Sequence, residues 1–338
     1  MNRPNTIGLI LNPKAGKGFI HTAEITRRAA AKFKGAAIIT GPGELGAAAL
    51  LDFPNPIEIC ECDSAPGRRQ TIDLAFALAR QQVDLLLVIG GDGTMSDAAC
   101  GLIGLPQAPP VLGIGIGSTN VGPLITCPAA EIDRLDFRRL ETVFIPALQV
   151  KDHSALLGIG FNDCILGFSV VGTLDGKIRN LDARAKMNGQ TLPGKPRPIG
   201  SRQTRVERIS AGKTVEIALG EWVGCVAIGF GETRFFGKAI TGGICLASFT
   251  HTPAGCLVTD TPLVQVEITH EQLLALPPLR SKYISFDDAM SIRVTGVIDG
   301  TVICADGTPL KILSPQDQVE FSVNPDAIRA VKIMVDKI

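Results

Sequence analysis

Apolar positions in the first third of the chain fall into short blocks, set apart by stretches where they recur at helical spacing. Ile7 to Leu11, Ala36 to Thr40, Leu85 to Ile89 and Val111 to Ile116 are almost wholly apolar, and Ile57 to Cys62 alternates. Short apolar runs of this kind read as strands buried in a parallel sheet. His21 to Lys34 and Arg68 to Gln82 carry the helical spacing. Strands and helices therefore alternate, joined by short glycine turns such as Gly41-Pro42-Gly43, and that order predicts an α/β fold with a doubly wound parallel sheet.

The pattern changes further on. Phe144 to Val150 alternates and marks the crossing into a second domain. From Thr214 the apolar runs are short and frequent: Thr214 to Ala218, Trp222 to Ile228, Leu257 to Thr259, Leu263 to Ile268, Ser291 to Val297 and Val302 to Cys304. Repeated short strands with turn residues between them predict a mainly antiparallel, all-β domain. The expected organisation is an α/β domain over 1–145, a β domain over 146–318 and a return segment over 319–338, the last built on Val319 to Val323 and Ile328 to Val335. Asp175 to Arg208 interrupts this scheme. It holds Lys177, Arg179, Arg184, Lys186, Lys195, Arg197, Arg202, Arg205 and Arg208 with little apolar periodicity. It reads as a solvated, mobile insertion, with a lid that brings cations to a polyphosphate as the alternative.

Composition narrows the field. A chain of 338 residues exceeds what one small core holds. Lysine plus arginine and aspartate plus glutamate both number 33, so no global field steers the chain to nucleic acid or a membrane surface. No apolar run approaches the roughly 20 residues of a membrane helix, and the polar Met1 to Thr6 does not read as a secretory leader. The expectation is a cytoplasmic protein that binds small molecules, with neither nucleic acid nor membrane as partner. Nine cysteines include one close pair, Cys60 and Cys62, and no ladder of zinc spacing. They read as buried free thiols in a reducing compartment, with no disulfide and no structural zinc.

Candidate chemistry gathers at Leu85 to Leu102. The apolar run stops at Gly90-Gly91-Asp92-Gly93-Thr94, and a helix-compatible stretch follows with Thr94 or Ser96 as N-cap. Strand, glycine turn and helix place backbone N–H groups at the carboxyl edge of a sheet, where they receive phosphate. Asp92 is the odd residue. A carboxylate among phosphate-binding amides repels the ligand unless it holds a metal or takes a proton from a hydroxyl. The plainer reading is a turn aspartate hydrogen-bonded to nearby backbone. Asn12-Pro13-Lys14-Ala15-Gly16-Lys17-Gly18 also follows a strand, but Leu11 stands where a P-loop has its leading glycine. Gly117-Ser118-Thr119-Asn120-Val121-Gly122 forms a second glycine-rich crest.

Gly90 to Thr94 closely resembles the GGDGT signature of the NAD kinase and diacylglycerol kinase superfamily. Asn12 to Gly16 is similar to the NPxxG-type first loop of those kinases, and Gly117, Thr119 and Asn120 approximate their G-T-x-N loop. Asn162-Asp163 resembles the Asn-Glu or Asn-Asp pair of NAD kinases, and Thr252-Pro253-Ala254-Gly255 their T-P-x-G segment. Cys256-Leu257-Val258 departs from the Ser-Thr-Ala that follows it there, removing two hydroxyls and predicting slow or absent NADP formation. Asp306-Gly307 reads as a hairpin turn on its own account.

The whole looks most like the ATP-NAD kinase-like proteins that include the X protein of bacterial acetoin-catabolism operons. The resemblance implies an ATP-dependent kinase using Mg²⁺, with NAD or a related hydroxyl compound as acceptor and a homo-oligomeric state. It implies that Asn12, Lys14, Gly16, Gly90, Gly91, Gly93, Thr94, Gly117, Thr119 and Asn120 line the nucleotide, and that Asn162, Asp163, Thr252 and Gly255 bind the acceptor. Asp92 would be the catalytic base or the Mg²⁺ ligand. A lipid or small-alcohol kinase and a non-catalytic nucleotide sensor remain the alternatives, and an aldehyde or acetoin-derived acceptor also fits.

Overall fold

The computed structural model describes residues 3–117, 120, 122–175, 177–231, 252–263 and 265–334. The chain divides into two compact units, Met1–Pro146 with Pro325–Ile338, and Ala147–Asn324.

In the first unit, strands β1 (Thr6–Leu11), β2 (Ala37–Thr40), β3 (Ile57–Ile59), β4 (Leu85–Gly90) and β5 (Val111–Gly115) form a parallel sheet in the order β3-β2-β1-β4-β5. A short β6 (Ile125–Pro128) and the end of the last strand also run parallel to β5. Helix α1 (Phe19–Ala31) follows β1, and α2 (Arg68–Arg80) and α3 (Asp92–Cys100) flank β4. The α1 residues Thr22, Ala23, Ile25, Thr26, Ala29 and Ala30 are buried, the spacing of one helix face. Every residue of β4 is buried, as the apolar run predicted for a central strand. From β1 the chain winds outward through β2 and β3, then returns to β4 on the other side of β1. This reversal puts the topological switch point between β1 and β4, where open α/β sheets bind ligands beyond their strand ends.

The second unit is antiparallel. β7 (Leu140–Asp152) enters it and pairs with β8 (Ala155–Gly160). β9 (Asp163–Gly167), β14 (Cys225–Phe230), β15 (Ala254–Thr259), β16 (Ser281–Phe286), β18 (Thr301–Ala305) and β19 (Thr308–Leu313) form a sheet in the order β16-β15-β14-β9-β18-β19. β13 (Lys213–Leu219), β12 (Arg205–Ser210), β17 (Met290–Thr295) and the first part of β20 (Gln318–Ile333) lie side by side in that order. Leu166, Val226 and Ile303 from one set and Val206, Ile292 and Phe321 from the other share one buried apolar cluster. The α/β unit and the antiparallel β unit are those expected from the patterning.

Three sequence expectations change. The basic stretch is built structure: β10 (Ser169–Leu174) and β11 (Lys177–Asp182) form a hairpin, and α4 (Ala183–Met187) follows, capped by Asp182, which accepts from Ala185 N at 2.7 Å. Several of its cations have partners. Arg197 lies 3.7 Å over the Phe168 ring, Lys186 Nζ donates to Gly307 O at 2.9 Å, and Arg179 pairs with Glu267. Leu263 to Ile268 forms no strand among its described residues and leads into α5 (His270–Ala275). Val319 to Val323 and the segment from Ile328 are one long strand, β20, because the chain stays extended through Pro325. Among the described residues no helix is long and apolar enough to cross a membrane.

Candidate active site

The glycine motif is the head of a helix. β4 ends at Gly90, Gly91 is the N-cap of α3, and Asp92, Gly93 and Thr94 form its first turn. Thr94 and Ser96 therefore do not cap the helix, as their side-chain chemistry suggested; both are buried within it. The reason is packing at Gly90. A Cβ there would stand 2.5 Å from Thr94 Cβ, so only glycine lets the helix begin this close to the strand end. Thr94 Oγ1 instead accepts from Asn12 Nδ2 at 2.8 Å, tying the loop after β1 to α3. Asn12 also takes Lys14 N on its Oδ1 at 3.0 Å, an Asx turn that leaves Lys14 exposed. Gly16 has φ 60°, and a Cβ on it would meet Ile116 O at 2.9 Å.

The loop after β5 closes the same edge. Gly117 N donates to Asn120 Oδ1 and Asn120 Nδ2 donates back to Gly117 O, both at 2.8 Å. A Cβ on Gly117 would come 2.9 Å from Gly91 Cα, so the two crests touch backbone to backbone. Gly122 N donates to Asp92 Oδ1 at 2.8 Å, which fixes one carboxylate oxygen from 30 residues away. Behind this loop, Lys332 Nζ donates to Pro123 O and Thr126 Oγ1 donates to Val331 O at 2.8 Å, so the end of β20 holds the crest in place. Burial pushes the Lys332 ammonium below its ordinary value. Beneath the helix, Arg68 Nε meets Asp97 Oδ1 at 2.9 Å, yet burial outweighs the guanidinium and raises the Asp97 carboxyl to about 6. The structure thus brings Asn12, Gly16, Gly90, Gly91, Asp92, Thr94, Gly117 and Asn120 together, with Gly93 in the same turn. Thr119 lies outside the described residues.

These elements fit a nucleotide polyphosphate. The head of α3 offers backbone N–H groups and the positive end of its dipole, and the missing Cβ atoms at Gly90, Gly91 and Gly117 let the strand end, the helix head and the second crest pack against one another there. Among the described residues no group of three His, Cys, Asp or Glu side chains is arranged for a metal. A Mg²⁺ that arrives with nucleotide phosphates needs only one or two carboxylates from the protein. Asp92 is the carboxylate in this turn.

In the second unit the chain turns back at Asn162, between β8 and β9. Asp163 is half-buried beside Asp306, and desolvation followed by that neighbouring charge pushes its carboxyl up to about 6. Phe230 N donates to Asn162 O at 3.2 Å and Gly231 N to Pro253 O at 2.9 Å, so Asn162 and the Thr252-Pro253 segment border one strand end. Gly255 lies inside β15, where a Cβ would strike the Tyr283 ring at 2.5 Å; its role there is to admit that ring. Cys256, Leu257 and Val258 are buried strand residues, Cys256 and Val258 within the apolar cluster. The departure from Ser-Thr-Ala is therefore a matter of core packing. Asp306 was read only as a turn residue. Its carboxylate accepts from the N–H groups of Phe161, Asn162 and Asp163, a partnership for which local sequence offers no signal, since the partners are over 140 residues away.

An uncharacterized protein of Archaeoglobus fulgidus is 32% identical over 327 residues, covering 96% of this chain and 97% of that one. The chain belongs to that protein's family. Residues 7–132 match the ATP-NAD kinase N-terminal domain family, which spans β1 to the end of the second crest and beyond. Among solved structures, a diacylglycerol kinase candidate from Bacillus anthracis strain Sterne shares the fold, with a TM-score of 0.53 and 16% identity over 100% of both chains. Yeast NADH kinase in complex with NADH shares it with a TM-score of 0.51 and 15% identity, over 99% of this chain and 85% of that one. At such identities the likeness is one of fold.

Proposed function

We propose that this protein is an ATP-dependent phosphotransferase that phosphorylates a hydroxyl of NAD or a related small molecule. One observation carries the reading. A single carboxylate, Asp92, stands in the first turn of α3 at the switch point of the sheet, and one of its oxygens is aimed by Gly122 N at 2.8 Å. Phosphoryl transfer asks little of a protein beyond positioning and charge neutralisation. The amides at the head of α3 and the exposed Lys14 receive the phosphates of ATP. Mg²⁺, bound with ATP, supplies further neutralisation of the transferred group. Asp92 accepts the proton of the acceptor hydroxyl as it attacks. Asn162 and Asp163 recognise the acceptor, because an amide and a carboxylate together donate and accept in the pattern a ribose diol or a carboxamide requires. The ATP-NAD kinase domain over residues 7–132 supports this reading.

The test is direct. Purified protein is incubated with ATP, Mg²⁺ and, separately, NAD, NADH, diacylglycerol in detergent micelles and acetoin, and phosphorylated product is measured for each. Transfer to NAD or NADH that disappears in Asp92→Asn supports the reading. Transfer to the lipid or to acetoin moves the acceptor to that class, and hydrolysis of ATP unaffected by Asp92→Asn removes Asp92 from the mechanism.

A further inference from the structure

We propose that Asp306 is the positioning residue of the acceptor-recognising turn, fixing Asn162 and Asp163 through its carboxylate. The inference rests on the reading of those two residues as acceptor ligands. Its basis is a set of bonds concentrated on one side chain. Phe161 N donates to Asp306 Oδ2 at 2.7 Å, and Asn162 N and Asp163 N donate to Oδ1 at 2.8 and 3.1 Å. Successive N–H groups converging on one point make an anion-binding nest. Here the protein fills the nest with its own carboxylate, which has two chemical consequences. The turn cannot receive an acceptor phosphate on its amides, and what it offers a ligand are the Asn162 amide and the Asp163 carboxylate. The acceptor group met at this turn is therefore a hydroxyl or carboxamide.

Asp306 is itself held from both sides. It occupies the left-handed region at φ 46°, followed by Gly307 at φ 73°, the two central positions of a primed hairpin turn between β18 and β19. Asp306 N donates to Asp163 O at 3.0 Å, and Lys186 Nζ of α4 donates to Gly307 O at 2.9 Å. Hairpin, turn and helix form one brace. Asparagine at 306 keeps the size and the left-handed preference, but it sets an NH₂ against one of the three backbone donors. Asp306→Asn thus tests the carboxylate without removing the turn.

The experiment compares wild type, Asp306→Asn, Lys186→Met and Asp163→Ala by hydrogen exchange and by steady-state kinetics, with NAD, NADH and diacylglycerol micelles as acceptor probes. In Asp306→Asn, exchange at Phe161, Asn162 and Asp163 accelerates about 10- to 100-fold while amides of β4 and β5 keep wild-type rates. For whichever probe wild type phosphorylates, acceptor KM rises about 10-fold or more while the KM for ATP stays within about 2-fold. Lys186→Met shifts both readings the same way by less. If Asp163→Ala raises acceptor KM and Asp306→Asn changes neither exchange nor KM, the positioning role is overturned and the acceptor reading stands. If Asp163→Ala leaves acceptor KM unchanged, the acceptor reading itself is overturned, and the inference with it. A wild-type protein that phosphorylates none of the probes overturns both.

Discussion

Two aspartates, one in each unit, are held by backbone amides, and they are held differently. Asp92 receives the Gly122 N–H and sits at the head of a helix among glycines that bring three loops into contact. Asp306 takes three N–H groups from one turn and sits in a hairpin. Three amides of one turn converge on Asp306 and are fixed by it, whereas Asp92 lies where the switch point of a parallel sheet meets a helix N-terminus. The contrast separates a residue placed to react from a residue placed to hold others.

The sharpest way to break that contrast is at Asp92. Asp92→Asn keeps the shape and an acceptor oxygen for Gly122 N but removes the base. Phosphotransfer is expected to fall about 100-fold or more, within the usual range for general-base catalysis, while ATP binding measured by calorimetry stays near wild type. Turnover at the wild-type rate would make Asp92 a structural aspartate like Asp306.

The same contrast explains what the sequence made legible. Asp92 is legible because the motif that carries it is local: the apolar run of β4, the glycines and the helix that follows lie within about twenty residues of each other, although the Gly122 N–H that holds it comes from 30 residues away. The parallel sheet was legible for a similar reason, since a fully buried strand such as Leu85–Gly90 writes its burial into consecutive residues. What escaped notice is non-local. Nothing near Asp306 signals that its carboxylate meets Phe161, Asn162 and Asp163, and nothing near Lys332 signals its bond to Pro123. Charge density misled at Asp175 to Arg208, where strand β11 alternates too briefly to show a pattern and several of the cations have partners far along the chain. The N-cap was misplaced because Thr94 has the side chain of a cap while Gly90 decides where the helix can begin.

A second test sharpens the comparison through pH. Asp163 is half-buried beside Asp306, so desolvation and then the neighbouring charge raise its carboxyl from 3.8 to about 6 in the folded protein. The folded state then holds this proton more tightly than the unfolded chain. Its contribution is complete below about pH 4 and is lost as pH rises to about 6, by at most about 3 kcal/mol. Asp97 has the same sign in the same window, so wild-type stability alone does not isolate Asp163. The difference between wild type and Asp163→Asn does. Urea midpoints across pH 4 to 7 should show the variant gaining on wild type as pH rises, reaching a plateau above about pH 6. A constant difference across that range would mean that neither burial nor Asp306 raises the Asp163 carboxyl in the folded protein.

The smallest expected effect asks whether the first-unit loops are held one by one or as a set. Asn12 Nδ2 reaches Thr94 Oγ1 at 2.8 Å, and Thr94 is almost fully buried. Thr94→Val keeps the branched shape over Gly90 but leaves the Asn12 amide without its acceptor. A partly buried neutral bond of this kind contributes about 1 kcal/mol, so stability should fall by that amount and ATP affinity by about 5-fold. Asn12→Ala removes the other partner and should cost about the same. If the bond joins the two loops, the double variant loses no more than either single one, a coupling of about 1 kcal/mol in a double-mutant cycle. Additive losses would show that Asn12 acts through its Asx turn at Lys14 and that α3 is anchored by packing at Gly90 alone.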